Sequence, residues 1–233
     1  SNPRTMYQVV VQGMSRILEF MKWSGAKKLL HTSSGAIYGP QPHEMYGIPE
    51  SYTGGPNPMD PASAYGEGKR VAELMGSLAA TELGFEFLNA RCFAFAGPYL
   101  PLRGEFAIGN FIADGLDGRD ILIKGDGTPF RSYLYAADLV YWLFTILSAG
   151  KSGVPYNVGS GEAISISELA HKVASFFPSI SVKVLGQPSG QPPTRYVPDV
   201  RLACSTLGLS VFTSLDEAIA RTIQFHKQQP KTK

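Results

Sequence analysis

Cysteine is scarce: Cys92 and Cys204 are the only two, far apart and without CxxC or CxxH spacing. Neither a disulfide framework nor a structural zinc organises this chain, and the usage fits a reducing, cytoplasmic setting. No Asn-X-Ser/Thr glycosylation acceptor occurs either. Charge of one sign is also missing. Twenty-one basic residues face nineteen acidic ones, a formal charge of +2, too balanced to recommend nucleic acid or an anionic membrane as a partner. An anionic ligand would have to be held by a few placed side chains. The most apolar stretch, Leu139 to Leu147, is broken by Thr145 and falls far short of the ~20 residues a bilayer span needs. The opening Ser1-Asn2-Pro3-Arg4 has no basic-then-apolar signal pattern. The four histidines, His31, His43, His171 and His226, show no metal-ligand spacing, so no metal site is expected.

What is present is apolar residue in two rhythms. With 44% hydrophobic content over 233 residues, the chain can bury one large core or two small ones. Met6, Val9, Val10, Met14, Ile17, Leu18 and Met21 recur at helical spacing and stop at Gly25, which predicts a helix over 3–24. Lys28 to Thr32 reads as a short strand ending in Ser33-Ser34-Gly35, the place where α/β folds put their chemistry. Residues 38–61 are dense in Pro and Gly and form a long loop. Ser63 is placed to cap a helix that ends near Gly84 and leads into a strand over 85–92. Residues 1–93 thus read as α/β. Residues 94–233 read as a smaller mixed α/β domain: helices over 106–116, 136–147, 167–177 (capped by Ser167) and 214–226, short strands at 121–123, 133–135, 156–158 and 182–185, and a loop at 186–193.

The chemistry centres on Tyr65-Gly66-Glu67-Gly68-Lys69. On a helix, residues 65 and 69 share a face one turn apart, so the Lys69 ammonium can stand near the Tyr65 phenol and favour its deprotonated form. A phenolate so assisted is a general base. Ser34 could hydrogen-bond the same substrate oxygen. Alone, a YxxxK pair is weak, because most such pairs are solvated helix faces. The Gly159-Ser160-Gly161 turn lacks the third glycine of a dinucleotide fingerprint, and Gly66 to Arg70 lacks the spacing of a P-loop.

Context gives the pair meaning. Thr32-Ser33-Ser34-Gly35-Ala36-Ile37-Tyr38-Gly39 and Ala64-Tyr65-Gly66-Glu67-Gly68-Lys69-Arg70 are followed in order by Ala90-Arg91-Cys92-Phe93, Gly97-Pro98-Tyr99, Gly125 to Asp138, and Tyr156-Asn157-Val158-Gly159-Ser160. This succession resembles the NAD-dependent epimerase/dehydratase family, the extended short-chain dehydrogenases/reductases acting on nucleotide sugars. The resemblance implies a partial Rossmann-type parallel sheet in 1–93, with a nucleotide-sugar (substrate) domain in 94–233. It implies Ser34, Tyr65 and Lys69 as catalytic residues, and Ser33, Tyr65, Lys69 and the Phe93 backbone as the cofactor contacts. NAD is the expected cofactor, with NADP as the alternative. Arg131 and Arg195 are implied at the diphosphate, with Ile108 and Lys124 near the nucleobase. A homodimer is implied through helices 3–24 and 63–83. Arg91 reads as structural.

Two departures bear on the reaction. Dehydratases and decarboxylases of this family carry acidic residues directly before the Val/Ile-Tyr-Gly, where this chain has Gly35 and Ala36. That favours an epimerase, removing and returning hydride at one sugar carbon, carbon 4, with no metal needed. The alternatives are a 4-ketoreductase, dehydratase or decarboxylase of the same superfamily, whose decarboxylases the Tyr-x-Glu-Gly-Lys-Arg form resembles, or an inactive fragment or binding module. The second departure is Ala94, where the family usually has an Asn that contacts the diphosphate.

The glycine-rich turn that cradles the cofactor pyrophosphate, and the acidic residue that follows it, are not in this sequence. The chain opens at what would be the helix before the Ser34 strand. The expectation is an upstream segment on the order of a hundred residues, cut off, lying outside this sequence or absent from a truncated gene. These 233 residues alone should therefore bind NAD weakly. Calorimetry at micromolar NAD should show no saturation, and clear binding once an upstream half is restored. Tight binding by the 233 residues alone would reveal a cofactor site the sequence does not disclose.

Overall fold

The computed structural model describes residues 2–104, 106–188 and 190–229. The first elements are helix α1 (Pro3–Ser24), strand β1 (Lys28–Ser34), 3-10 turns at Gly35–Tyr38 and Pro61–Ser63, helix α2 (Ala64–Leu83) and strand β2 (Glu86–Cys92). Then come β3 (Phe95–Ala96), α3 (Ala107–Leu116), β4 (Ile121–Ile123), β5 (Phe130–Arg131), β6 (Leu134–Tyr135) and α4 (Ala136–Ala149). The last are β7 (Pro155–Val158), β8 (Ile164–Ser165), α5 (Ile166–Ala174), β9 (Val182–Val184), β10 (Arg195–Tyr196), α6 (Arg201–Leu207) and α7 (Leu215–Gln228). Among the described residues no helix is long and apolar enough to cross a membrane.

The chain divides into two compact units. One comprises Ser1–Phe93, Tyr141–Val158 and Pro198–Ser210; the other comprises Ala94–Val140, Gly159–Val197 and Val211–Lys233. A single division at 93/94 therefore describes only the first crossing of the chain. The strand expected at 156–158 does not stay with the later residues, because β7 completes the first unit's parallel sheet, in the order β1-β2-β7. Its register sets Arg91 opposite Asn157 and Cys92 opposite Val158.

In the first unit, Asn2 caps α1 by accepting the amides of Arg4 and Thr5, Pro3 occupies the first turn, and Gly25 closes the helix at φ 65°. Helix α1 lies on α2, and both cover one face of the sheet through Met14, Met21, Ala72, Phe85 and Phe87. Small residues on α2 permit this closeness. A Cβ on Gly76 would come within 2.0 Å of the Phe87 ring, and one on Gly66 within 2.7 Å of the Ala36 carbonyl. The two glycines cost helix propensity of up to ~1 kcal/mol each, and in return seat α2 directly on β2 and on the turn after Ser34. The outward faces retain apolar side chains: Val9, Ile17 and Phe20 on α1, Leu74 and Leu78 on α2.

The cap expected at Ser63 is not made; Asp60 accepts the Ala62 amide at 2.9 Å and starts a 3-10 turn that runs into α2. An aspartate followed by Pro61 outcompetes the serine, since the proline fixes the turn one step earlier. In the second unit, Ser165 rather than Ser167 caps α5. Ser165 and Glu168 form a reciprocal capping box, which Ser167 cannot do with Ala170 three positions on. This unit contains the parallel pairs β3-β6 and β4-β9 and the sheet β10-β5-β8. Its core gathers Ile108, Phe111, Ile112, Ile121, Leu169, Val173 and Ile219.

Candidate active site

Strand β1 delivers Ser34 to the end of the sheet, 5% exposed. Its Oγ accepts the Ala36 amide at 3.1 Å, which closes the Gly35–Tyr38 turn. Helix α2 starts against that turn through Gly66. Lys69, on the second turn of α2, donates from Nζ to the Thr32 carbonyl at 2.7 Å. The same ammonium lies 5.9 Å from the centroid of the Tyr65 ring, which is 38% exposed. Ser34, Tyr65 and Lys69 therefore meet at one end of the first unit's sheet. Burial lowers the pKa of Lys69 from its ordinary value, opposed by Cys92 and Glu73. Thr32 occupies one of the three Nζ donors, and the other two suit the hydroxyls of a ribose.

Ser33, expected at the cofactor, turns its side chain toward α2. Its Oγ donates to Glu73 on α2, so the one donor of the side chain is committed within the protein. The Phe93 amide is likewise used, donating to the Val158 carbonyl at 3.0 Å. Cys92, in register with Ser34, has its thiol pKa pushed up to about 12 by burial against the opposing pull of Lys69. It is protonated and a poor nucleophile near neutrality.

Beneath the site runs a polar network that the sequence reading does not identify. Arg91 donates to both Glu73 oxygens, from Nη2 to Oε2 at 2.8 Å and from Nε to Oε1 at 3.1 Å. Its Nη1 reaches the Tyr38 hydroxyl at 2.9 Å and the Glu50 carbonyl at 3.1 Å. Tyr38 donates in turn to Asn157 Oδ1, and Asn157 Nδ2 donates to the Ile48 and Asp199 carbonyls. The Asn157 amide is taken by the Glu50 carboxylate at 2.8 Å. Burial raises the Glu50 pKa, opposed by that amide, and pushes the Tyr38 phenol up to about 12. One signal pointed this way: Phe87, Asn89 and Arg91 alternate onto the α2 face of β2, and a cation there demands an anion from α2.

The second unit holds the remaining expected residues. Strand β5 pairs with β10, setting Phe130 opposite Arg195 and Arg131 opposite Tyr196. Arg131 donates to the Phe130 carbonyl at 2.8 Å, and the Arg195 guanidinium lies 4.5 Å from the Phe130 ring centroid. Both guanidiniums thus gather about Phe130. Lys124 is exposed just beyond β4. Ile108 does not line a pocket as expected. It is fully buried in the second unit's core, because its helical spacing with Phe111 and Ile112 places it on the inward stripe of α3.

His31 lies under α2, stacked on Phe87 at 6.2 Å. Burial, helped by the Lys69 cation and opposed by Glu73, holds its pKa down at about 4 against the ordinary 6.5. As pH falls through that window the unfolded chain gains a proton that the folded one refuses, so stability is lost on acidification. His31→Met should remove this sensitivity. Urea unfolding at pH 7 and pH 5 should show the variant losing about 1–2 kcal/mol less than wild type on acidification. Equal losses in both proteins would mean the acid response arises elsewhere.

The sequence profile of the NAD dependent epimerase/dehydratase family matches residues 1–159. UDP-glucuronic acid decarboxylase 3 of Arabidopsis thaliana is 34% identical over 94% of this chain and 63% of its own length. The chain spans between about half and two-thirds of the length of the curated relatives it matches. Among solved structures, UDP-glucose 4-epimerase of Thermotoga maritima with UDP-glucose superposes with a TM-score of 0.84 at 25% identity, covering 97% of this chain and 72% of that one. MoeE5 in complex with UDP-glucuronic acid and NAD superposes with a TM-score of 0.78 at 26% identity, covering 94% and 71%.

Proposed function

The chain belongs to the NAD dependent epimerase/dehydratase family, and from that premise we propose that the full-length protein is an NAD-dependent nucleotide-sugar epimerase working at one sugar carbon, carbon 4. The observation that carries this choice is the turn after Ser34. Its positions 35 and 36 are Gly and Ala, neither with a carboxylate, and the Ala36 amide donates to Ser34 Oγ. Elimination or decarboxylation would be served by a carboxylate there to move a second proton. Of the acids on the site end of α2, Glu73 is bound to Arg91 and Ser33, and Glu67 lies 3.8 Å from Arg70. With no carboxylate at 35 or 36, the site suits oxidation and reduction at a single carbon.

NAD, when bound, supplies reversible hydride acceptance. Tyr65 takes the proton of the sugar hydroxyl as that carbon is oxidised, and gives it back after the keto sugar has turned its other face. Lys69 stabilises the phenolate and, with its two remaining donors, holds the nicotinamide ribose. Ser34 hydrogen-bonds the reacting oxygen as hydroxyl and as carbonyl, positioning of a kind that contributes several kcal/mol. Arg131 and Arg195 are the proposed holders of the diphosphate, where guanidinium geometry suits bidentate contact. Lys124 is proposed near the nucleobase.

A second reading, decarboxylation of a UDP-uronic acid, is favoured by the 34% identity to the plant decarboxylase. Product analysis separates the two. Full-length protein given UDP-glucose and UDP-glucuronic acid should yield carbon-4 epimers with retention of the carboxylate; release of carbon dioxide and a UDP-pentose would establish the second reading instead.

Tyr65→Phe should remove most turnover while leaving NAD affinity nearly unchanged, since it deletes a proton-transfer group and little contact area. Lys69→Ala should weaken both. Wild-type turnover by Tyr65→Phe would show that the site is wrongly assigned.

We also propose that the full-length protein is a homodimer through α1 and α2. The exposed Val9, Ile17, Phe20, Leu74 and Leu78 give these helices an apolar face that a second copy could cover. Light scattering should return twice the chain mass, and Phe20→Glu with Leu78→Glu should halve it. A monomeric wild type would refute the pairing.

A further inference from the structure

We infer that Glu73 and Ser33 are positioning residues, which lock the end of β1 to α2 so that Ser34 and Lys69 hold a common geometry. The inference rests on the proposed roles of Ser34, Tyr65 and Lys69. Tyr65, Lys69 and Glu73 follow one another at four-residue intervals on α2 and form a single stripe. Two of the three are fastened to consecutive residues of β1. Lys69 Nζ holds the Thr32 carbonyl, and Glu73 accepts from Ser33 Oγ. The next residue along the strand is Ser34. Two bonds spaced one helical turn apart fix both the height and the rotation of α2 relative to the strand end, which one bond could not do.

Glu73 is itself held rigidly. Its carboxylate receives Arg91 through Nε and Nη2, and the pair is only 12–13% exposed at its side chains. A bidentate guanidinium fixes the plane of the carboxylate, so the oxygen offered to Ser33 has little freedom. The negative charge also acts on the site. The groups facing Lys69 are Glu73 and Tyr65 on its own helix, His31 on β1 and Cys92 on β2. Of these Glu73 carries the carboxylate, and it favours the ammonium form of Lys69.

Three variants of the full-length protein test this, with Tyr65→Phe as a control on the site itself. Ser33→Ala removes the bond to Glu73 and leaves every charge in place. It should lower kcat by roughly tenfold or more, as expected for a misplacement of catalytic groups, with KM for the sugar nucleotide little changed. Ser33→Thr, which restores the hydroxyl, should recover most of that loss. Glu73→Gln removes a negative charge, which makes deprotonation of each neighbouring group easier, so the pH–rate profile should move to lower pH. Ser33→Ala should leave the profile where it is.

If Glu73→Gln fails to fold, because Arg91 is left unpaired, the Ser33 pair decides alone. Wild-type kcat in Ser33→Ala, with a lower melting temperature only, would overturn the inference while an inactive Tyr65→Phe left the site assignment standing. A fully active Tyr65→Phe would instead remove the reading on which the inference rests.

Discussion

The ion pair between Arg91 and Glu73 is the constraint on which the first unit depends. Taking both charges out of water is costly, and their attraction repays that cost only with good geometry and satisfied donors. Here the guanidinium engages the carboxylate twice, a tyrosine hydroxyl once and a main-chain carbonyl once. An ammonium could not reproduce this fork of donors. The pair is therefore poor as a simple source of stability and strong as a device for uniqueness. Loss of either partner would leave a buried charge uncompensated, worth about 3–5 kcal/mol. Any alternative packing of α2 on the sheet incurs the same penalty.

From that pair the order of the site follows. Glycine at 76 and 66 lets α2 descend onto Phe87 and onto the turn after Ser34. The ionic pair then selects its rotation, and the polar stripe of α2 comes to rest over the end of β1. Tyr65 lies furthest along this stripe and remains partly exposed, while Lys69 and Glu73 are progressively more enclosed. The gradient suits their proposed tasks: the group that must meet substrate lies at the surface, and the groups that hold it lie below.

Features set by near neighbours are legible in the sequence. The helical rhythm ending at Gly25, the end of α2 at Gly84 and the strand leading to Ser34 all depend on neighbours within a few residues. Where two local signals competed, the plainer one misled: Ser63 and Ser167 looked like caps, but Asp60 with its following proline, and Ser165 with Glu168, satisfied more amides. Ile108 misled because an inward stripe and a pocket lining have the same spacing. What could not be read was whatever depends on distant residues. Tyr38 meets Asn157 across 119 positions, and β7 joins the parallel sheet after an excursion through the second unit. Both follow from the pairing of strands far apart in sequence, which no window of periodicity contains.

The loop between Tyr38 and Pro61 is held at three points by its main-chain carbonyls. Arg70 takes the Gly54 carbonyl, Arg91 that of Glu50, and Asn157 that of Ile48. Side chains add to this grip: the Glu50 carboxylate takes the Asn157 amide, the Tyr52 ring lies 6.3 Å from that of Tyr38, and Ile48 is buried. Carbonyl groups are common to all residues, so this clasp is indifferent to most of what the loop displays. Met59, largely exposed, could be exchanged for another residue without breaking these three bonds. The segment can thus vary in part of what it displays while its path is kept: a changeable surface mounted on a fixed frame.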